Sequence, residues 1–169
     1  MELVSRMMEG SISYPPESPP GPPPISLPRL RHDQKIVYLQ RVPVLQDCTQ
    51  RQLRAISRIT EVLEMPAGHV LAQAGEPGDH FFFIVDGTAR VEVPSQNPPR
   101  VGPGEFFGEM SLLDGGPRSA TVIAETPVRL LLIHRRDFWT LLREAPALTD
   151  RILIALSHRV RRAEKAINA

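Results

Sequence analysis

The stretch Val101-Gly-Pro-Gly-Glu-Phe-Phe-Gly-Glu-Met-Ser-Leu-Leu-Asp-Gly-Gly-Pro-Arg-Ser-Ala-Thr-Val122 holds the residues best suited to chemistry. Gly102, Gly104, Gly108, Gly115 and Gly116 make up nearly half of the chain's 11 glycines. Glycine lets backbone come close to a ligand and takes dihedrals that other residues avoid. Between the two glycine clusters, Met110 to Leu113 is long enough for one helical turn, whose first N–H groups would face a bound anion. Arg118 follows, flanked by Pro117 and by small residues. A guanidinium binds phosphate through two parallel hydrogen bonds, and a single Arg suits a monoanionic phosphodiester better than a triphosphate. Glu109, as a carboxylate, only accepts hydrogen bonds, so it suits a sugar hydroxyl and not a phosphate. An acceptor for hydroxyl beside a donor for phosphate describes a nucleotide with both groups close together.

Other phosphate-binding patterns do not fit. The glycine spacing is G-x-G-x-x-x-G with no βαβ unit around it, and no G-K-[ST] ending is present, so neither a dinucleotide fingerprint nor a P-loop is expected. On chemistry alone, a glycine-rich loop with a surface Glu–Arg pair remains the alternative. The single cysteine, Cys48, excludes a disulfide framework and an all-cysteine metal site, and implies a reducing compartment. The histidines at 32, 69, 80, 134 and 158 show no spacing with one another that resembles a metal site. No metal and no cofactor are therefore expected, and no catalytic residue is assigned. A formal net charge of +1 gives no reason to expect a nucleic-acid binder driven by electrostatics.

The elements that must position these residues follow from pattern. The 169 residues fit one domain plus a tail, and 41% of them are hydrophobic but only 5% aromatic, which predicts an aliphatic core. Pro15 to Pro28 contains eight of the 18 prolines, so residues 1–30 are expected to be a disordered, extended segment. It reads either as a ligand for a partner's aromatic groove or, more simply, as a leader or linker. Residues 31–169 are expected to form the domain. Ile36, Val37, Leu39 and Val42 form one apolar helical group closed by Pro43. Asp47 or Thr49 can cap a second helix carrying Leu53, Ile56 and Ile59.

Short strand-like runs come next, at 62–65, 69–73, 80–85, 88–93, 120–125 and 128–133. Asp86-Gly87 predicts a tight hairpin, and Pro127 marks another turn. Two helices close the chain. One carries Phe138, Leu141 and Leu142 and stops at Pro146. The other begins near Thr149, with an apolar stripe of Ile152, Leu153, Leu156 and Val160 and a basic side of Arg151, Arg159, Arg161, Arg162 and Lys165. The fold class expected is α+β: an antiparallel β-barrel or jelly roll with a short cassette helix, N-terminal helices and two C-terminal helices.

The ungapped run Phe107-Gly-Glu-Met-Ser-Leu-Leu-Asp-Gly-Gly-Pro-Arg-Ser-Ala-Thr-Val122 resembles the phosphate-binding cassette of cyclic nucleotide-binding domains, including the step from Glu109 to Arg118. That family includes the bacterial catabolite activator protein, protein kinase A regulatory subunits and cyclic-nucleotide-gated channels. The likeness extends from about Gln34 to Ile167. Pro66-Ala-Gly-His-Val-Leu and Gly75-Glu-Pro-Gly-Asp look like its first barrel turns, and the short connection from Pro94 to Arg100 most resembles bacterial channel domains.

The resemblance implies a ligand, cAMP or cGMP, and roles for matching residues. Phe107, Gly108, Glu109, Met110, Ser111, Arg118, Ser119, Ala120 and Arg159 are the expected ligand-binding set. Glu109 would accept from the ribose 2′-hydroxyl beside the Gly108 backbone. Arg118 would clamp the cyclic phosphate, with N–H groups from Ser119 and Ala120 and a further contact from the Ser119 hydroxyl. Arg159 would cap the base from the last helix, which closes over the ligand.

Three functions then compete: a sensing module, an enzyme such as a phosphodiesterase, and a DNA-binding regulator. Hydrolysis would need paired metals or an activated nucleophile, and the cassette offers neither. The chain stops at Ala169, soon after His158-Arg-Val-Arg-Arg162, which is expected to leave no room for a recognition helix. No apolar run approaches the roughly 20 residues that span a bilayer, and no signal peptide is evident. The expectation is a cytoplasmic sensor, monomeric or weakly dimeric, with a downstream protein partner; the alternative is a truncated catabolite-activator-type regulator without its helix-turn-helix.

Overall fold

The computed structural model describes residues 25–26, 31–93 and 97–168. Helix α1 (His32–Leu39), a 3-10 turn at Pro43–Leu45 and α2 (Gln50–Arg58) lead into the sheets. Thr49 is the residue that caps α2: its hydroxyl accepts from the Gln52 N–H at 3.2 Å, and the Gln52 side chain accepts from the Thr49 N–H at 2.8 Å. That exchange satisfies two amides left unpaired by the first helical turn. Leu39 and Val42 are fully buried, but Val37, expected beside them, is 59% exposed. Ile36 and Leu39 lie three positions apart on one face, whereas Val37 is turned about 100° away from Ile36.

The strands in chain order are β1 (Ile25–Ser26), β2 (Thr60–Met65), β3 (Val70–Ala72), β4 (His80–Asp86), β5 (Ala89–Val91), β6 (Arg100–Val101), β7 (Phe106–Phe107), β8 (Val122–Ala124) and β9 (Val128–His134). They build two antiparallel sheets, β1-β2-β9-β4-β7 and β3-β8-β5-β6. The expected proline-rich segment lies outside the described residues except for Ile25–Ser26, which pair with Glu64 and Leu63 on β2.

The five-stranded sheet is covered on both faces. Phe81, Phe83, Leu131 and Ile133 pack against the helices, through Leu39, Leu53, Phe138, Leu141 and Leu148. Phe82, Ile84, Leu130 and Leu132 point the other way, into the core shared with the four-stranded sheet. Period-two alternation therefore feeds two cores, which is why Phe81–Val85 and Leu130–Ile133 read as unbroken apolar runs.

The Asp86-Gly87 hairpin expected between β4 and β5 does not form, because those strands belong to different sheets. Gly87 turns a corner from one sheet to the other at φ +86°, and a Cβ there would lie 2.2 Å from the Pro127 carbonyl. Pro127 marks the matching corner between β8 and β9, and the two corners are bonded through Thr88 and Thr126 (Thr88 N–H to Thr126 Oγ1, 3.0 Å). The dipeptide's chemistry supplies the positive φ; which strands then pair is decided by the sandwich.

Helix α3 (Glu109–Asp114) lies between β7 and β8, and α4 (Phe138–Glu144) and α5 (Pro146–Ile167) end the fold. Helix α5 starts at Pro146, earlier than expected, because proline is tolerated in a first turn where its missing N–H has no helical partner. Its stripe also differs: Leu148 and Ile152 are buried and Leu156 packs on the core, while Leu153 and Val160 are 60% and 58% exposed. Positions 148, 152 and 156 repeat every four residues toward the body; Leu153 and Val160 lie off that line. Among the described residues no helix is long and apolar enough to cross a membrane.

Candidate functional site

A cavity of about 130 Å³ opens between the four-stranded sheet, β7, α3 and the middle of α5. Phe107, Gly108, Glu109, Met110, Ser111, Arg118, Ser119, Ala120 and Arg159 all line it. The fold thus brings together the whole expected ligand-binding set, whereas Gly102, Gly104, Gly115 and Gly116 are not part of the lining. An aliphatic wall completes the cavity: Ala72, Val91, Val101 and Val122, with Phe106 beside them. Sequence reasoning missed this wall. Val91 and Val122 each sit two residues from a fully buried alanine, Ala89 and Ala124, and that alternation was the available signal.

Arg118 is held at backbone and side chain alike. Its N–H donates to the Glu76 carbonyl at 2.8 Å, and its own carbonyl accepts from Gly75 N–H at 2.9 Å. Pro77 and Pro117 form a bridge beside these bonds. The guanidinium then reaches inward, donating to the Gly108 carbonyl (3.1 Å) and the His80 carbonyl (2.6 Å), with Cζ 5.9 Å from the Phe82 ring centroid. Only 8% of the residue is exposed. Burial pulls its pKa down from the ordinary value and Arg135 adds to that, while Asp79 and Glu109 oppose it. Carbonyl dipoles, rather than a carboxylate, hold this charge. An anion placed there would gain more than it would in water, because the surroundings screen less.

Gly108 makes the arrangement possible. It sits at φ +96°, and a Cβ would lie 2.7 Å from both the Arg118 Nη1 and the His80 carbonyl oxygen. Any side chain would displace the guanidinium from its holders.

Glu109, 7% exposed, opens α3 on the cavity side. Arg159 comes from α5 to place its Nη1 4.0 Å from Glu109 Oε1, and it also contacts the Met110 sulfur. The Ser119 hydroxyl lies 3.7 Å from the same sulfur. Met110 therefore gathers Ser119 and Arg159 at one side of the cavity. Among the described residues, the backbone N–H groups of Ser119 and Ala120 donate to no protein acceptor.

A further positioning residue, Arg135, was not anticipated. Its Nη2 donates to the Gly78 carbonyl at 2.6 Å and the Ser111 carbonyl at 3.0 Å, and its Nε lies 3.4 Å from Asp79 Oδ1. It fastens α3 to the loop that enters β4. Backbone carbonyls carry no residue-type signature, so nothing in the sequence pointed to this clamp.

Two antiparallel sheets in a jelly roll, a helical cap and a cavity lined by a buried arginine and a buried glutamate define the class of fold and site. The family model described as cyclic nucleotide-binding domain matches residues 62–145. The chain is 45% identical over 109 residues to a cyclic nucleotide-gated potassium channel of Mesorhizobium japonicum, covering 64% of this chain and 30% of the channel. It is 28% identical over 131 residues to the CRP-like cAMP-activated global transcriptional regulator of Mycobacterium tuberculosis, covering 73% of this chain and 58% of the regulator. Among solved structures, the Thermus thermophilus catabolite activator protein matches with a TM-score of 0.62 at 27% identity, over 75% of this chain and 62% of that one. Residues 62–145 thus match the cyclic nucleotide-binding domain family, as the cassette had implied. It spans less than two thirds of the length of each of these relatives.

Proposed function

We propose that this chain is a regulatory module that binds a cyclic nucleotide, cAMP in preference to cGMP, and reports occupancy through α5. The observation that carries the reading is the meeting of buried Arg118 and Glu109 in one cavity with an aliphatic wall. Arg118 takes the cyclic phosphate together with the Ser119 and Ala120 amides, Glu109 takes the ribose 2′-hydroxyl, and the aliphatic wall receives the base. Ligand clefts are commonly about 300 Å³ or larger, so Met110 and Arg159 must part to admit a nucleotide. Arg159 then caps the base as α5 settles over it. Binding shifts the population between open and closed α5 only by the difference in affinity for the two forms.

The site offers cationic and acceptor groups but no activated nucleophile, and the relatives' names are those of a channel and a regulator. Sensing, rather than turnover, is the role these features support. In this reading residues 31–169 form the sensor and residues 1–30 a proline-rich leader. The setting is cytoplasmic, the chain is monomeric or weakly dimeric, and a downstream protein, not a specific DNA sequence, receives the signal.

Calorimetric titration with cAMP and then cGMP tests this. One-to-one binding of both, tighter for cAMP, is expected. Heat from neither nucleotide overturns the reading, and tighter binding of cGMP overturns the ligand preference.

A further inference from the structure

His80 opens β4, and its own carbonyl is one of the two holders of Arg118 (2.6 Å). Its ring faces His134, its register partner on β9, with centroids 5.0 Å apart and planes at 65°. On the far side of His134, Glu61 Oε1 lies 3.0 Å from Nε2. Glu61, His134, His80 and Arg118 therefore form a row that runs from β2 to the cavity. The row contains one fixed cation, one carboxylate and two imidazoles.

The charges bearing on His80 come from every element packed around it. Arg118 on the cassette and His134 on β9 disfavour its protonation; Asp79 on the preceding loop and Glu61 on β2 favour it. Arg135 stands next to His134 and pairs with Asp79 at 3.4 Å, which weakens the pull of that carboxylate. Burial is the largest cause holding the imidazole below its ordinary range, followed by His134 and Arg118.

We propose that His80 is a proton-binding site coupled to anion binding at Arg118, so that the chain's affinity for a cyclic nucleotide rises as pH falls. The proposal rests on the functional reading above, in that a phosphate occupies Arg118. An anion there cancels the field that the guanidinium sends into the imidazole and adds an attractive charge. His80 then holds its proton more tightly in the bound state. By reciprocity, a proton on His80 strengthens anion binding by the same factor. The bound state carries the more protons, so affinity must climb as pH drops through the interval between the free-state and bound-state pKa values, and level off outside it.

Calorimetric titration of the full chain with cAMP between about pH 8 and about pH 5.5, in two buffers of different ionisation enthalpy, reads both affinity and proton uptake. Binding at the acid end should be about three- to tenfold tighter, tenfold being the effect of one unit of pKa change. Uptake should peak at about 0.3 to 0.5 proton per nucleotide where the pH lies between the free-state and bound-state pKa values, the most that a three- to tenfold coupling allows. His80→Gln should abolish uptake, while His158→Gln, on the exposed part of α5, should retain it. Binding without proton uptake, or uptake that survives His80→Gln, overturns the proposal and leaves the functional reading intact. No binding at any pH overturns both. Should His80→Gln not fold, proton NMR of the parent's imidazoles decides: the His80 pKa must rise on adding cAMP, and an unchanged value overturns the coupling.

Discussion

Arg118 concentrates the chemistry of the site. The residue is 8% exposed and, among the described residues, its guanidinium donates to two carbonyls and no carboxylate, so a phosphate would be the first full anionic partner it meets at close range. Arg118→Ala should weaken cAMP binding by about 2–3 kcal/mol, the worth of charge-assisted hydrogen bonds to phosphate. Calorimetry returning parental affinity for that variant would remove Arg118 from the site. Glu109 makes a different prediction, since its carboxylate is assigned to a hydroxyl. Glu109→Gln should narrow the preference for cAMP over its 2′-deoxy analogue by about 1–2 kcal/mol, the scale of a hydrogen bond to a charged group. A preference left at its parental size would reassign Glu109 to Arg159, 4.0 Å away.

These two residues were legible in the sequence because their functional groups are their side chains. The His80 and Gly108 carbonyls that hold Arg118 were not legible. Any residue supplies a carbonyl, and only the folded chain says where it points.

Helices and strands were legible in kind more often than in partnership. Thr49 capped α2 as its type suggested, and Phe138 and Leu141 faced the core as their spacing required. Asp86-Gly87 announced a positive φ correctly and misled about pairing, since turn chemistry is local and sheet membership is set by distant strands. The two-residue strands β6 and β7 were too short to show a period at all. On α5 the expected stripe mixed anchoring and free residues, and substitution separates them. Leu148→Ala should destabilise the fold by about 2–5 kcal/mol through the cavity it leaves. Leu153→Ala, at a position 60% exposed, should change stability by no more than about 0.5 kcal/mol. Urea unfolding of the two variants checks the contrast; equal effects would place Leu153 in the core instead.

At the scale of the whole molecule, protonation links the site to the stability of the fold. Burial, His134 and Arg118 hold the His80 imidazole below its ordinary value of 6.5 in the free protein. Below that value the unfolded chain binds more protons than the folded one, so His80 contributes stability at neutral pH that is lost as pH falls toward the folded-state pKa. Thermal melting of the ligand-free chain at about pH 7.5 and about pH 5.5 should show a larger drop than in His80→Gln. Equal drops would show that the imidazole carries no such penalty. The doubly covered five-stranded sheet explains why the fold as a whole was readable: two unbroken apolar runs needed two partners, one helical and one a second sheet.

Helix α5 has 22 residues, about 33 Å of rigid rod, yet Ile152 is its last buried side chain. Measured from Ile152, near its first third, Arg159 lies about 10 Å and Ile167 about 22 Å along the rod, and Leu156 and Arg159 still touch the body between them. A tilt of about 20° that carries Arg159 some 4 Å sweeps the far end about 8 Å. If α5 settles over the ligand as proposed above, the displacement at Arg159 would reach that end at roughly double its original stroke, with no joint in between.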